Sequence, residues 1–182
     1  MSISTTSSRV PSLKSVAIGA AVALLGGIAI KSIVSGPCAN DKCFLGKAAD
    51  AGSTEIAASK VAQSKSSNAE VKTFARTMVA DHTKVAEELK QLASSKQIEV
   101  SDQPGARHQA QIDKLSRLEG QQFDKEYVAA IGVAAHKEAV KLFTEASQKA
   151  SDPDIKAFAA KNLPALQHHL EMANALQAAL AK

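Results

Sequence analysis

The 182-residue sequence contains no Trp, one Tyr, five Phe, nine Gly, five Pro and two Cys. Each shortage excludes something. A β-sandwich fills its faces with aromatic and β-branched side chains, which are too scarce here. A Gly-rich phosphate loop, a nucleophile elbow and an ordered Ser/His/Asp set are all missing, so the common signatures of catalysis are absent. Charge of one sign is also lacking. The formal net charge is +4, of which Arg9, Lys14 and Lys31 in residues 1–36 supply three. The rest of the chain carries 19 basic and 18 acidic side chains. A basic stripe for nucleic acid is therefore excluded as the chain's main feature. What is abundant is Ala, at 35 positions. Ala loses no side-chain entropy in a helix, so the composition predicts an all-α protein.

The N-terminal 36 residues read as an export signal or membrane anchor. Ser15–Ile30 is an uncharged, mostly apolar run behind Arg9 and Lys14, the order of an export signal. Extended to Val34 it approaches the roughly 20 residues a spanning helix needs, with Lys31 able to snorkel to the interface. Because no Ala-x-Ala site follows the apolar core, an uncleaved inner-membrane anchor through residues 15–34 is favoured, leaving the bulk of the chain in the periplasm. The alternative is a signal peptide cleaved after export. Residues 37–44 then form a linker with Cys38 and Cys43. In an oxidising compartment a short-loop disulfide suits the pair; incidental thiols or a metal site are the alternatives. Cys38 follows Pro37 and lies eight residues past the core, which argues against a lipoprotein.

Residues 45–182 read as a four-helix domain. Helices are predicted over about 45–65, 69–96, 121–150 and 153–180. Ser151-Asp152-Pro153 caps the last one, and Pro164 predicts a kink or break near Asn162. Connections of about three residues make the first two and last two helices antiparallel hairpins. Residues 97–120, with Pro104-Gly105 and the amphipathic Ile112, Leu115 and Leu118, are long enough to cross the bundle from end to end. One long crossover between two hairpins is the ferritin-like connection.

Polar residues fall on faces that should be apolar. At about 100° per residue, His82 lies at the centre of the Val71, Phe74, Met78, Leu89 stripe, and His169 at the centre of the Phe158, Leu166, Leu176 stripe. His136 lies within the broad apolar arc of the third helix, and Glu55 at the edge of the stripe carrying Leu45, Gly52 and Ile56. His108 reads as exposed. At about 1.5 Å per residue, Glu55 and His82 are roughly 18 and 22 Å from their shared turn, and His136 and His169 roughly 22 and 27 Å from theirs. All four therefore fall near mid-bundle. Unpaired burial of such groups costs several kcal/mol. One zinc, iron or copper ion would satisfy the set. So would a hydrogen-bonded polar core completed by Asp81, Asp124, Tyr127 or water.

Several blocks resemble a known bacterial family, domain of unknown function 4142. They are Val71–Ala75 with Met78–His82, Leu118–Tyr127 leading to His136, and Phe158–Pro164 followed by Leu166 and His169-Leu170. The resemblance implies an exported, ferritin-like bundle, mostly from Gram-negative bacteria, and supplies a fold rather than a mechanism. Some members carry an outer-membrane label, but residues 45–180 show helical periodicity, not the alternation of a barrel. Di-iron ferritin-like proteins carry Glu-x-x-His on two helices; here no Glu is followed by His three residues later. A mononuclear site is the most these residues support. The leading expectation is a membrane-tethered periplasmic bundle binding one transition metal in envelope stress or metal homeostasis. The alternative is a structural or interaction module without metal. Proton-transfer chemistry is a third reading for which nothing identifies a substrate.

Overall fold

A computed structural model describes Met1 and residues 38–182. The expected N-terminal anchor lies outside the described residues. Among those described, no helix is long and apolar enough to cross a membrane.

The described chain is helical, without strands. Helix α1 spans Asp41–Lys65. It starts four residues before the apolar pattern suggests, because Asn40 caps it by accepting from the Cys43 N–H at 2.9 Å. Helix α2 spans Ala69–Ser95, capped by Asn68 through the N–H groups of Glu70 and Val71. The short α3, Ala106–Ser116, buries Ile112 and Leu115. The third bundle helix is one continuous rod made of α4 (Gly120–Tyr127), a π-helical segment Val128–Ala135, and α5 (His136–Lys149). Helix α6, Pro153–Leu180, is capped by Asp152 and runs unbroken through Pro164. The break expected near Asn162 does not form. There the Asn162 amide donates to the Phe158 carbonyl at 2.9 Å, tying the turn before the proline.

Salt bridges and caps fix the topology. Asp41, at the start of α1, accepts from the N–H groups of Ser151 and Asp152. Lys96, just past α2, pairs with Asp152 and Asp154. Those ends therefore lie together. Lys65, at the far end of α1, pairs with Glu119 at the start of α4. The chain from Lys96 to Glu119 consequently travels the length of the bundle, and α2 runs parallel to the α4–α5 rod. This is the ferritin-like crossover. The crossover is tied down midway, where Asp50 accepts from Gly105 N–H at 2.7 Å and its other oxygen lies 2.8 Å from His108 Nδ1. His108 is thus half-buried and partnered, not exposed as its position in the crossover suggests.

The core divides into two apolar clusters. One holds Ala58, Val71, Phe74, Met78, Phe123, Ile131, Ala173 and Leu176. The other holds Phe44, Leu45, Leu89, Leu142, Phe143, Phe158 and Leu166. Along every bundle helix the switch from one cluster to the other occurs at a polar residue: Glu55, His82, His136 and His169.

Candidate metal centre

Glu55, His82, His136 and His169 are all buried, with exposures between 0% and 4%. Each comes from a different helix. Glu55 sits deeper than the edge position its stripe suggested, since the buried face of α1 runs through Ala48, Glu55, Ala58, Ser59 and Ala62. Gly52 and Ile56, members of the stripe read from sequence, are only half-buried.

His136 reaches the centre through the π segment. On an ideal α-helix, residues nine apart lie about 180° from one another. Tyr127 and His136 are nine apart, yet both are completely buried. The wider π turns remove that phase difference, so the interior stripe steps from Ile131 to His136 rather than to Ala135. Segments of this kind occur frequently at functional sites. The same geometry sets the ring: His136 Nδ1 lies 3.0 Å from the Ile131 carbonyl.

The three imidazoles form a near-equilateral triangle, with ring centroids 5.4, 5.3 and 5.5 Å apart. One nitrogen from each ring lies within 4.8 Å of one from each of the others. The closest approach is Nε2 of His82 to Nε2 of His136, at 3.3 Å. The other nitrogen of each ring is held from outside. Glu55 Oε2 lies 3.0 Å from His82 Nδ1, and the Ile131 carbonyl holds Nδ1 of His136. Asp81 Oδ2 lies 3.1 Å from Nε2 of His169. That leaves Nδ1 of His169 buried without a partner, and Glu55 Oε1 likewise, 3.7 Å from His136 Nδ1. An unsatisfied buried polar atom costs about 1–3 kcal/mol.

Electrostatics favour the uncharged forms throughout. Burial pushes Glu55 above the ordinary carboxylate range, against the opposing pull of His82 and His108. Burial holds His82 below the usual imidazole range, with Glu55 opposing it. It does the same for His136, opposed by the Ile131 and Gly132 carbonyls, and for His169, opposed by Asp81. A cavity of 390 Å³ between α1, α2 and the crossover reaches Glu55 and His82, roofed by Ser101–Pro104.

The remaining residues linked to this site from sequence are placed as follows. Asp81 is the outer partner of His169. Tyr127 turns toward α1 and shares a 2.8 Å hydrogen bond with Ser59, and burial pushes its phenol up. Asp124 is buried with Oδ1 unpartnered and is not hydrogen-bonded to any histidine. Cys38 and Cys43 are both half-buried and carry no bond to each other here. Two participants were not anticipated: the Ile131 carbonyl and the π segment. Val128–Ala135 reads VAAIGVAA, with no polar residue to reveal its phase.

The profile described as Domain of unknown function (DUF4142) matches residues 34–176. The chain belongs to this family. Two solved structures share the fold. A DUF305 fragment from Deinococcus radiodurans superposes with a TM-score of 0.67 at 10% identity, over 79% of this chain and 99% of that one. CopM in its Cu(II)-bound form superposes with a TM-score of 0.63 at 17% identity, over 76% of this chain and 95% of that one. At these identities the likeness is one of fold. Comparison with curated proteins returns no match.

Proposed function

We propose that this DUF4142 protein binds one transition-metal ion at the centre of its bundle. The ligands are Nε2 of His82, Nε2 of His136 and Nδ1 of His169. The observation that carries this reading is the division of labour around the three rings. In each, one nitrogen faces the shared space while the other is held by Glu55, the Ile131 carbonyl or Asp81. Metal-ligating histidines almost always donate their second ring N–H to a carboxylate, backbone carbonyl or water. Glu55, first read as a fourth ligand, takes the outer role in this account.

The spacing supports the same reading. Two nitrogens each about 2.0–2.1 Å from one ion in tetrahedral geometry stand about 3.3 Å apart, the separation found between His82 and His136. The unpartnered Nδ1 of His169 is the kind of orphaned acceptor that a cation satisfies. Neutral imidazoles suit zinc, copper, iron or nickel. The copper-bound state of CopM, similar in fold, makes copper the first ion to try. A bound ion supplies positive charge beside His82, which favours the ionised form of Glu55. The chain's own residues orient the rings and leave no Glu-x-x-His pair for a second ion, so storage of iron as a mineral is not part of the proposal. An envelope role in metal homeostasis or stress protection, with the first 36 residues as tether, completes it.

A second reading rests on the same 3.3 Å contact. One proton between the two Nε2 atoms would join Glu55, His82, His136 and the Ile131 carbonyl into a hydrogen-bonded chain, and the layer would then specify packing only. Metal titration separates the two. Binding of one Cu(II) or Zn(II) per chain, abolished in His136→Ala, supports the centre. Absence of stoichiometric binding leaves the polar core.

A further inference from the structure

The cavity beneath the crossover joins the centre to solvent. Its lining includes exposed side chains such as Lys60 and Glu87, then the half-buried Gly52 and Ala86. It ends on Glu55 and His82, which are 1% and 4% exposed. Of the three histidines, His82 lines it and His136 and His169 do not. The roof, Ser101–Pro104, is pinned where Asp50 accepts from the Gly105 N–H at 2.7 Å, so the space is a standing feature of the fold. A Cβ on Gly52 would meet nothing within 4 Å, so the cavity has room for a side chain at mid-length.

We propose that this cavity is the route by which the metal ion reaches the centre, an inference that rests on the metal binding proposed above. A hydrated divalent cation enters beneath the crossover and moves inward between α1 and α2. It sheds water where it meets Glu55 and His82, and passes from there to the three imidazoles. His82 is the first ligand on this path, and Glu55, with Oε1 buried and unpartnered, is the carboxyl beside it.

Size and charge both fit. A bare ion would pay a heavy desolvation penalty between apolar walls such as Leu89 and Phe143. At about 30 Å³ per water, an ion with six waters fills roughly 180 Å³, and the cavity offers 390 Å³. The ion therefore travels with its water and gives it up only where protein donors replace it. Lys60 and Lys90 balance Glu87 and Asp102 in the lining, so the mouth neither repels nor strongly draws a cation. The rival approach leads past Asp81, whose 3.1 Å contact with His169 stands in the way.

The test is stopped-flow mixing of the full metal-free chain with Cu(II). Tyr127 is the sole Tyr and there is no Trp, so quenching of its emission reports the ion's arrival. Gly52→Leu fills the passage and is expected to load about ten-fold more slowly, because the ion must await a local opening of the bundle. Release to a chelator slows by the same factor, so stoichiometry and affinity stay at wild-type values. Ala86→Leu enters the same space from α2 and is expected to behave likewise. Gly46→Leu is the control. It lies on the same helix with equal room for a Cβ, but is exposed and does not line the cavity, so it loads at the wild-type rate. Wild-type rates in both filled variants, or equal slowing in Gly46→Leu, would overturn the route and leave the metal reading standing. A wild type that takes up no stoichiometric Cu(II) would overturn both.

Discussion

Nε2 of His82 faces Nε2 of His136 across 3.3 Å, while Nδ1 of His136 donates to the Ile131 carbonyl at 3.0 Å. A carbonyl only accepts, so the proton of neutral His136 resides on Nδ1 and its Nε2 presents a lone pair. Side-chain ¹⁵N NMR of the metal-free protein should find His136 as the Nδ1–H tautomer. Finding the proton on Nε2 would remove the geometric basis of the centre.

Asp81 is half-exposed, and its role is to hold Nε2 of His169. Asp81→Ala should weaken metal binding about 10–100-fold, the usual cost of losing an outer partner. The metal-free protein should also lose about 1 kcal/mol or more, because the substitution leaves Nε2 of buried His169 without its partner. A chelator competition titration checks the first point and a thermal melt the second.

Acid should destabilise the metal-free protein. Burial keeps His82, His136 and His169 neutral in the fold, whereas in the unfolded chain they take up protons near pH 6.5. Below that pH the unfolded state binds more protons, so stability falls, by about 1.4 kcal/mol per pH unit for each histidine held fully neutral. Glu55 acts in the opposite sense. Its raised value means the fold keeps a proton that the unfolded chain releases above 4.5, so its contribution is largest in acid and is lost as pH rises. Three imidazoles against one carboxyl leave a net loss on acidification from about pH 7 to about pH 5. Urea denaturation across that range measures it; a flat profile would contradict the burial argument.

Two glycines should respond oppositely to Ala. A Cβ on Gly132 would lie 3.1 Å from Ala173 Cβ and 3.5 Å from Phe74, both in the core. Gly132→Ala should therefore lose about 1 kcal/mol or more, despite the helix propensity gained. A Cβ on Gly52 meets nothing within 4 Å, so Gly52→Ala should gain about 0.5–1 kcal/mol. Equal responses in denaturant melts would mean that the π segment does not press on α6.

Much of this was legible before the structure. Asn68 and Asp152-Pro153 mark helix starts because their side chains cap free N–H groups, and the long crossover follows from two short turns flanking residues 97–120. His82 and His169 were readable because they interrupt regular apolar stripes on unperturbed helices. The phase of the third helix was not readable, because an all-apolar VAAIGVAA run is compatible with α or π winding. Uniform α winding lists Ala129 and Val140 with its core, whereas Ala130 and Leu142 are buried there and those two only partly so. The roles of Glu55 and His108 were equally hidden. Each depends on a partner from another element, His82 for the first and Asp50 for the second, and no spacing within one helix reveals that.

The central claim is that the three histidines hold one ion. Equilibrium titration of the metal-free chain with Cu(II) and Zn(II), followed by elemental analysis after gel filtration, tests it most directly. The account predicts one ion per chain in the wild type and loss of that ion in His82→Ala, His136→Ala and His169→Ala, with helical circular dichroism retained. A wild-type protein that keeps no stoichiometric metal, or folded variants that keep the same ion, would contradict it.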